Sequence, residues 1–266
     1  MSCAESKKIK AESSEKQKLL GILGGLGPMA SVYFCEMLIS HTEALRDCDH
    51  INFLLSSRAD TPDRSSFILG QSGDDPTDAM TEEAKRLEGA GADLIAIPCN
   101  TAHYFYDSIE SAVNIPVLNI IEKTAEYCKS AGVTRISVLS TEGTAASGAY
   151  KRILDKHGID LLPLTHEEQD IVTRIIFDEI KSGREPDLIS FLRVSNSLIA
   201  RGAQLIILGC TELSLIKKQN PLPDYFIDSL ELLALSAITV CGKKPVNFDQ
   251  ALMKFYGEAD AQRRKG

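Results

Sequence analysis

Tryptophan is absent and aromatic residues make up only 6% of the chain. Stacking on unpaired bases, which single-strand nucleic-acid binding relies on, therefore has little to work with. An excess of positive charge is also missing: the formal net charge is −8. Neither nucleic acid nor an anionic membrane surface is attracted in general, so an anionic ligand must be caught by a local cluster. No apolar run reaches the roughly 18 residues of a membrane-spanning helix. The first 18 residues, MSCAESKKIKAESSEKQK, lack the apolar segment of a secretory signal and read as a disordered tail, which makes the cytoplasm the expected compartment. Cys-x-x-Cys pairs are lacking too. The seven cysteines (Cys3, Cys35, Cys48, Cys99, Cys128, Cys210 and Cys241) are odd in number and irregularly spaced. This disfavours a disulfide framework or a structural zinc site, and most of them read as small buried hydrophobes. His41, His50, His157 and His166 are scattered without ligand spacing.

What is present is an alternation. From Leu19 onward, short apolar runs such as LLGILGG, INFLLSS, DLIAIP and IPVLNII are separated by helical stretches. The long segment RADTPDRSSFILGQSGDDPTD reads as a turn-rich loop. The pattern then restarts with RISVLST, IDLLPLT, QLIILG and DYFID, and GAGADLIAIPCNT in the first half is echoed by RGAQLIILGCTE in the second. Strands alternating with helices of this length predict parallel sheets covered on both faces. The expected fold is α/β: two similar doubly wound, Rossmann-like domains with the active site in the cleft between them. The expected boundaries are a tail at 1–18, an N-terminal domain at 19–125, a C-terminal domain at 126–228, and a closing helix and tail at 229–266.

The turn Gly25-Leu26-Gly27-Pro28-Met29-Ala30 fits a G-x-G-x-x-A pattern after a strand. Pro28 removes one N–H from the helix start, and the second strand ends in Ser56-Ser57, with no acidic residue for a ribose. A dinucleotide site is disfavoured. Glycines that let backbone N–H groups approach a small carboxylate are the better functional reading, beside a plain tight turn.

Cys99 in Pro98-Cys99-Asn100-Thr101 and Cys210 in Gly209-Cys210-Thr211-Glu212 each end an apolar strand and precede a helix. Ligands of such sheets bind outside the carboxyl ends of the strands, so both cysteines are placed in sites and not in cores. The helix dipole and free first-turn N–H groups there favour thiolate. If the halves pack face to face, two thiols can flank one carbon, one removing a proton and the other returning one to the opposite face. Asn100, Thr101, Thr211 and the glycine-rich backbone are the donors on hand for the developing charge.

Over residues 19–240 the chain resembles the aspartate/glutamate racemase family, in its aspartate racemase branch, through GILGGLGPMAS, TPDRSSFILG, PCNTAH, STEGTAASG, EIKSG and GCTEL in that order. The resemblance implies a two-domain fold, no pyridoxal phosphate, no metal, and Cys99 and Cys210 as the acid/base pair. It implies that Arg64 and Lys181 bind the side-chain carboxylate of an acidic amino acid. It also makes Asn100, Thr101, Thr141 and Thr144 contacts of the substrate's α-carboxylate and ammonium, and makes a homodimer the expected assembly. Without the resemblance, Lys181 reads as a cation at a helix C-terminus, Arg64 as a solvated loop residue, and the threonines as caps. Glu212 stands where the glutamate racemase branch has histidine, which favours aspartate. It can orient the neighbouring thiol or simply favour the helix dipole. His103 reads as a helix-surface or packing residue. Ser56-Ser57 replaces the branch's usual asparagines, leaving a pocket that is roomier or filled by Arg58. The competing readings are a related-fold hydantoin racemase, isomerase or decarboxylase, and a non-catalytic binder of acidic metabolites.

Overall fold

The computed structural model describes residues 17–263, with side chains through Gly257. The tail expected over 1–18 lies outside the described residues except for Gln17 and Lys18. The first half runs β1 (Leu19–Gly24), α1 (Pro28–Ser40), β2 (Asn52–Ser57), α2 (Arg64–Ile68), α3 (Thr77–Gly89), β3 (Leu94–Ala96), α4 (Tyr106–Ser111), β4 (Val117–Leu118) and α5 (Ile120–Ser130). The second runs β5 (Arg135–Leu139), α6 (Glu142–Ser147), α7 (Ala149–His157), β6 (Asp160–Leu161), α8 (His166–Arg174), α9 (Leu188–Ala200), β7 (Leu205–Leu208), α10 (Ser214–Gln219), β8 (Phe226–Asp228), α11 (Ser229–Val240) and α12 (Gln250–Arg263).

Two four-stranded sheets result, ordered β2-β1-β3-β4 and β6-β5-β7-β8, and every pairing is parallel. The order is the same in both, so β3 and β7 are counterparts, as the echo between their sequences requires. Successive residues of a strand point to opposite faces. Leu94 and Ala96 enter one core while Ile95 and Ile97 enter another; Val138 and Leu139 divide in the same way. Both faces are therefore dry, which is why these strands are almost continuously apolar. One of the cores is common to the two sheets. It takes Leu20, Ile22 and Leu94 from the first sheet, and Ile136, Val138 and Ile207 from the second. Helix α11 packs on α5 and α1, so the last long helix of the second half is seated on the first.

Local detail departs from the sequence reading in three places. The loop expected before Thr77 contains the short helix α2, started by Asp63, whose side chain accepts the Ser66 N–H at 2.8 Å. The helix expected to end at Lys181 turns π-helical over Ile175–Ile180. The helices after Cys99 and Cys210 are short, with a 3-10 turn over Thr101–Phe105 between Cys99 and α4.

Candidate active site

Cys99 follows β3 and Cys210 follows β7, at equivalent ends of the central strands of the two sheets. Both are 6% exposed, and both line one narrow cavity with about 300 Å³ of empty space including its mouth. Leu26, Asp63, Arg64, Ser65, Asn100, Thr101, Thr141, Lys181, Thr211 and Glu212 complete the lining. Of the residues the sequence reading assigned to catalysis or substrate contact, Thr144 is the one not on this wall. Its Oγ1 stands behind it, 2.8 Å from Thr101 Oγ1 and 3.1 Å from Thr141 Oγ1.

Thr141 is the hub of a buried hydroxyl cluster. It caps α6 by accepting the Thr144 N–H at 3.1 Å, receives a hydrogen bond from Ser65 Oγ at 3.2 Å, and lies 3.1 Å from Thr101 Oγ1. Gly143 belongs to the same junction, because a Cβ there would sit 2.6 Å from Ser65 Cα. The close approach brings α2, and Arg64 with it, against the second half. Asn100 is fixed at both ends of its amide: Tyr150 donates to its Oδ1 at 2.7 Å, and its Nδ2 donates to Ser229 Oγ at 3.0 Å. Capping and positioning thus fall to the threonines and Asn100 themselves.

Arg64 is 7% exposed. Its Nη1 donates to the carbonyls of Thr61 (3.2 Å) and Pro62 (3.0 Å), and its buried Nε has no partner. It makes no ion pair among the described residues. A buried guanidinium with spare donors has the chemistry to pair with a carboxylate. Lys181 differs. Its Nζ lies 3.4 Å from Glu212 Oε1 and over the Phe177 ring at 5.0 Å. Burial works against its charge, but Glu212 and then the two cysteines outweigh burial and raise its pKa.

Cys210 Sγ donates to Glu212 Oε2 at 3.0 Å. Burial, reinforced by the Glu212 carboxylate, pushes this thiol well above the ordinary range; Lys181 and the Glu212 backbone N–H pull the other way and lose. At Cys210, desolvation and an adjacent anion work against the thiolate that a helix start favours.

His103 is not on a surface. It is buried, with Nδ1 2.8 Å from the Cys99 carbonyl and Nε2 accepting the Ile120 N–H at 3.1 Å. Since Nε2 is an acceptor, Nδ1 carries the proton and donates it to Cys99 O. Burial lowers the ring's pKa to about 4, so it stays neutral and pins the backbone of Cys99. Of the two alternatives at Ser56-Ser57, filling by Arg58 is not what the structure has. Ser56 is bonded to Glu83, and Arg58 pairs with Asp60, Glu82 and Glu83, so neither fills the cavity. The glycine-rich turn gives up one donor, because Gly25 N–H is bonded to Ser31 Oγ at 3.1 Å. Asp63, Ser65 and Tyr150 carried no signal in the sequence; they are recognisable only once α2, α6 and α7 are placed.

Among the described residues no three His, Cys, Asp or Glu side chains converge to hold a metal ion. No helix among them is long and apolar enough to cross a membrane.

The chain is similar to known proteins. An aspartate racemase from Picrophilus torridus is 31% identical, with 90% of this chain and 99% of that chain covered and a TM-score of 0.77. An aspartate racemase homologue from Pyrococcus horikoshii is 27% identical, covering 85% and 99%, with a TM-score of 0.69. The broad specificity amino-acid racemase RacX of Bacillus subtilis is 29% identical over 227 residues, 83% of this chain and 97% of that protein. The profile described as Asp/Glu/Hydantoin racemase matches residues 23–237, from β1 through most of α11 and so across both cysteines. Two sheets of one order, a cysteine at the end of each central strand and a match spanning both place the chain in the Asp/Glu/Hydantoin racemase family, as an amino-acid racemase.

Proposed function

We propose that the chain interconverts the L and D forms of an acidic amino acid, aspartate foremost, by two-base proton transfer between Cys99 and Cys210. The observation that carries this reading is the shared cavity: sulfurs from equivalent strand ends line one space that also holds a buried guanidinium with spare donors. In the reaction one cysteine, as thiolate, removes the α-proton while the other, as thiol, donates to the opposite face of the same carbon. The C–H electron pair is held through the α-carboxylate until the new bond forms. After one turnover the proton sits on the other sulfur, so the reverse reaction uses the same groups in exchanged roles. Cys210, kept a thiol by burial and by Glu212, acts as the donor in one direction, with Cys99 as its partner. Arg64 grips the side-chain carboxylate, and the hydroxyls of Thr101, Thr141 and Thr211 face the α-carboxylate and ammonium.

A second reading widens the substrate range. The Lys181 charge is already engaged by Glu212, which leaves Arg64 as the uncommitted cation among the lining residues. One cation selects less sharply for a second carboxylate than two, and RacX is a relative of broad specificity.

The test is a panel of L-aspartate, L-glutamate, L-alanine and L-lysine, with chirality followed over time for the wild-type chain and for Arg64→Ala. We expect Arg64→Ala to raise KM for aspartate about 100-fold and to leave alanine within a few-fold. An equal effect on both would remove Arg64 from side-chain recognition, and a panel led by alanine or lysine would replace the aspartate reading with the broad one.

A further inference from the structure

The glycine-rich turn has a second feature that the reaction as described does not use. Gly27 precedes α1 with φ at 175°, extended backbone that any residue adopts, so its conformation does not call for glycine. Its surroundings do. A Cβ on Gly27 would lie 2.3 Å from Glu212 Oε1, the far end of the side chain whose other oxygen, Oε2, accepts from Cys210 Sγ at 3.0 Å. The turn after β1 in one half thus forms the seat for a carboxylate that belongs to the other half.

We propose that Gly27 and Glu212 are a positioning pair for Cys210: the bare backbone of Gly27 leaves the space in which the carboxylate sits against the thiol and accepts its hydrogen bond. The inference rests on the two-thiol reading above. The charged and titratable groups facing this corner are few. Lys181 pairs with Glu212 Oε1 at 3.4 Å, while Cys99, Arg64 and Asp63 stand across the cavity. Lys181 steadies the carboxylate from one side and Gly27 admits it from the other. A methyl group on Gly27 moves only the end of a flexible side chain, and it changes no group that touches the reacting carbon.

The test reads the titration of Cys210 directly. Full-length chains are alkylated with iodoacetamide over a pH series, and the Cys210 peptide is quantified by mass spectrometry. Glu212→Gln preserves the side chain's shape and removes its charge; we expect the Cys210 midpoint to fall by roughly one to three pH units. Gly27→Ala should move the midpoint in the same direction by displacing the carboxylate. The double variant should show no more shift than Glu212→Gln alone, because both changes act through one contact. An unchanged midpoint in Glu212→Gln overturns the pair, and a Gly27→Ala shift that adds to the Glu212→Gln shift overturns the seat. Should Gly27→Ala fail to fold, Glu212→Ala in the same chain should restore folding, and failure to restore it overturns the seat as well. These outcomes are separate from those that bear on the two-thiol mechanism, which falls if Cys210→Ser racemises aspartate at the wild-type rate.

Discussion

Cysteine 210 and histidine 103 reach their ionisation states by one route, burial, with opposite signs of charge at stake. Burial keeps the thiol protonated and the imidazole unprotonated, since in each case the charged form is the one that loses water. For His103 the consequence extends to stability. Its pKa is about 4 in the folded chain against an ordinary 6.5, so below pH 6.5 the unfolded chain binds a proton that the native one refuses. Stability from this residue is therefore complete above pH 6.5 and lost progressively as pH falls toward 4, by about 3 kcal/mol in all. Denaturant titrations at pH 7.5 and pH 4.5 should show this loss in the wild-type chain and a smaller one in His103→Gln. The same pH dependence in both would mean that the proton binds elsewhere.

At the scale of elements, the junction of α2 with α6 sets where Arg64 stands. Arg64 opens α2, and α2 touches α6 where Gly143 leaves no room for a side chain. Gly143→Ala presses on backbone, not on a flexible tip, so something must shift. We expect a loss of about 1–3 kcal/mol in stability and a KM for aspartate raised more than kcat is lowered, both measurable on one preparation. An unchanged KM would show that α2 does not depend on this contact for placing Arg64. Elements also mark how far the sequence could be read. The parallel sheets were legible in the alternation of LLGILG, DLIAIP, RISVL and QLIILG with helices, because a strand dry on both faces has to be apolar throughout. The pairing of Cys99 with Cys210 was legible because β3 and β7 echo each other. Helix α2 was hidden in a segment rich in Pro, Asp and Ser, whose local signals are those of turns. The π-helical stretch before Lys181 was hidden too, because no periodicity distinguishes it from α8. The bond between Cys210 and Glu212 spans two residues, yet its effect on the thiol needs the burial and Gly27, and neither can be seen from the GCTE motif alone.

The whole molecule behaves as two sheets sharing one core, with the cavity where they meet. The amide of Asn100 joins the strand end after β3 to α7 and α11, and the cluster around Thr141 joins α2 to α6. On the function proposed above, a ligand held by Arg64 on one side and Thr211 on the other would stabilise both halves at once. Thermal unfolding should accordingly rise with L-aspartate concentration, by about 2.7 kcal/mol at one hundred times Kd, and the rise should be much smaller in Arg64→Ala. The most direct measurement for the two-sulfur reaction follows both α-hydrogen exchange and chirality of L- and D-aspartate in deuterium oxide, with wild type, Cys99→Ser and Cys210→Ser. The expected result is exchange with inversion from either enantiomer by the wild type, and inversion slowed by roughly 100- to 10,000-fold in each variant. Inversion at the wild-type rate by either serine variant would contradict the mechanism.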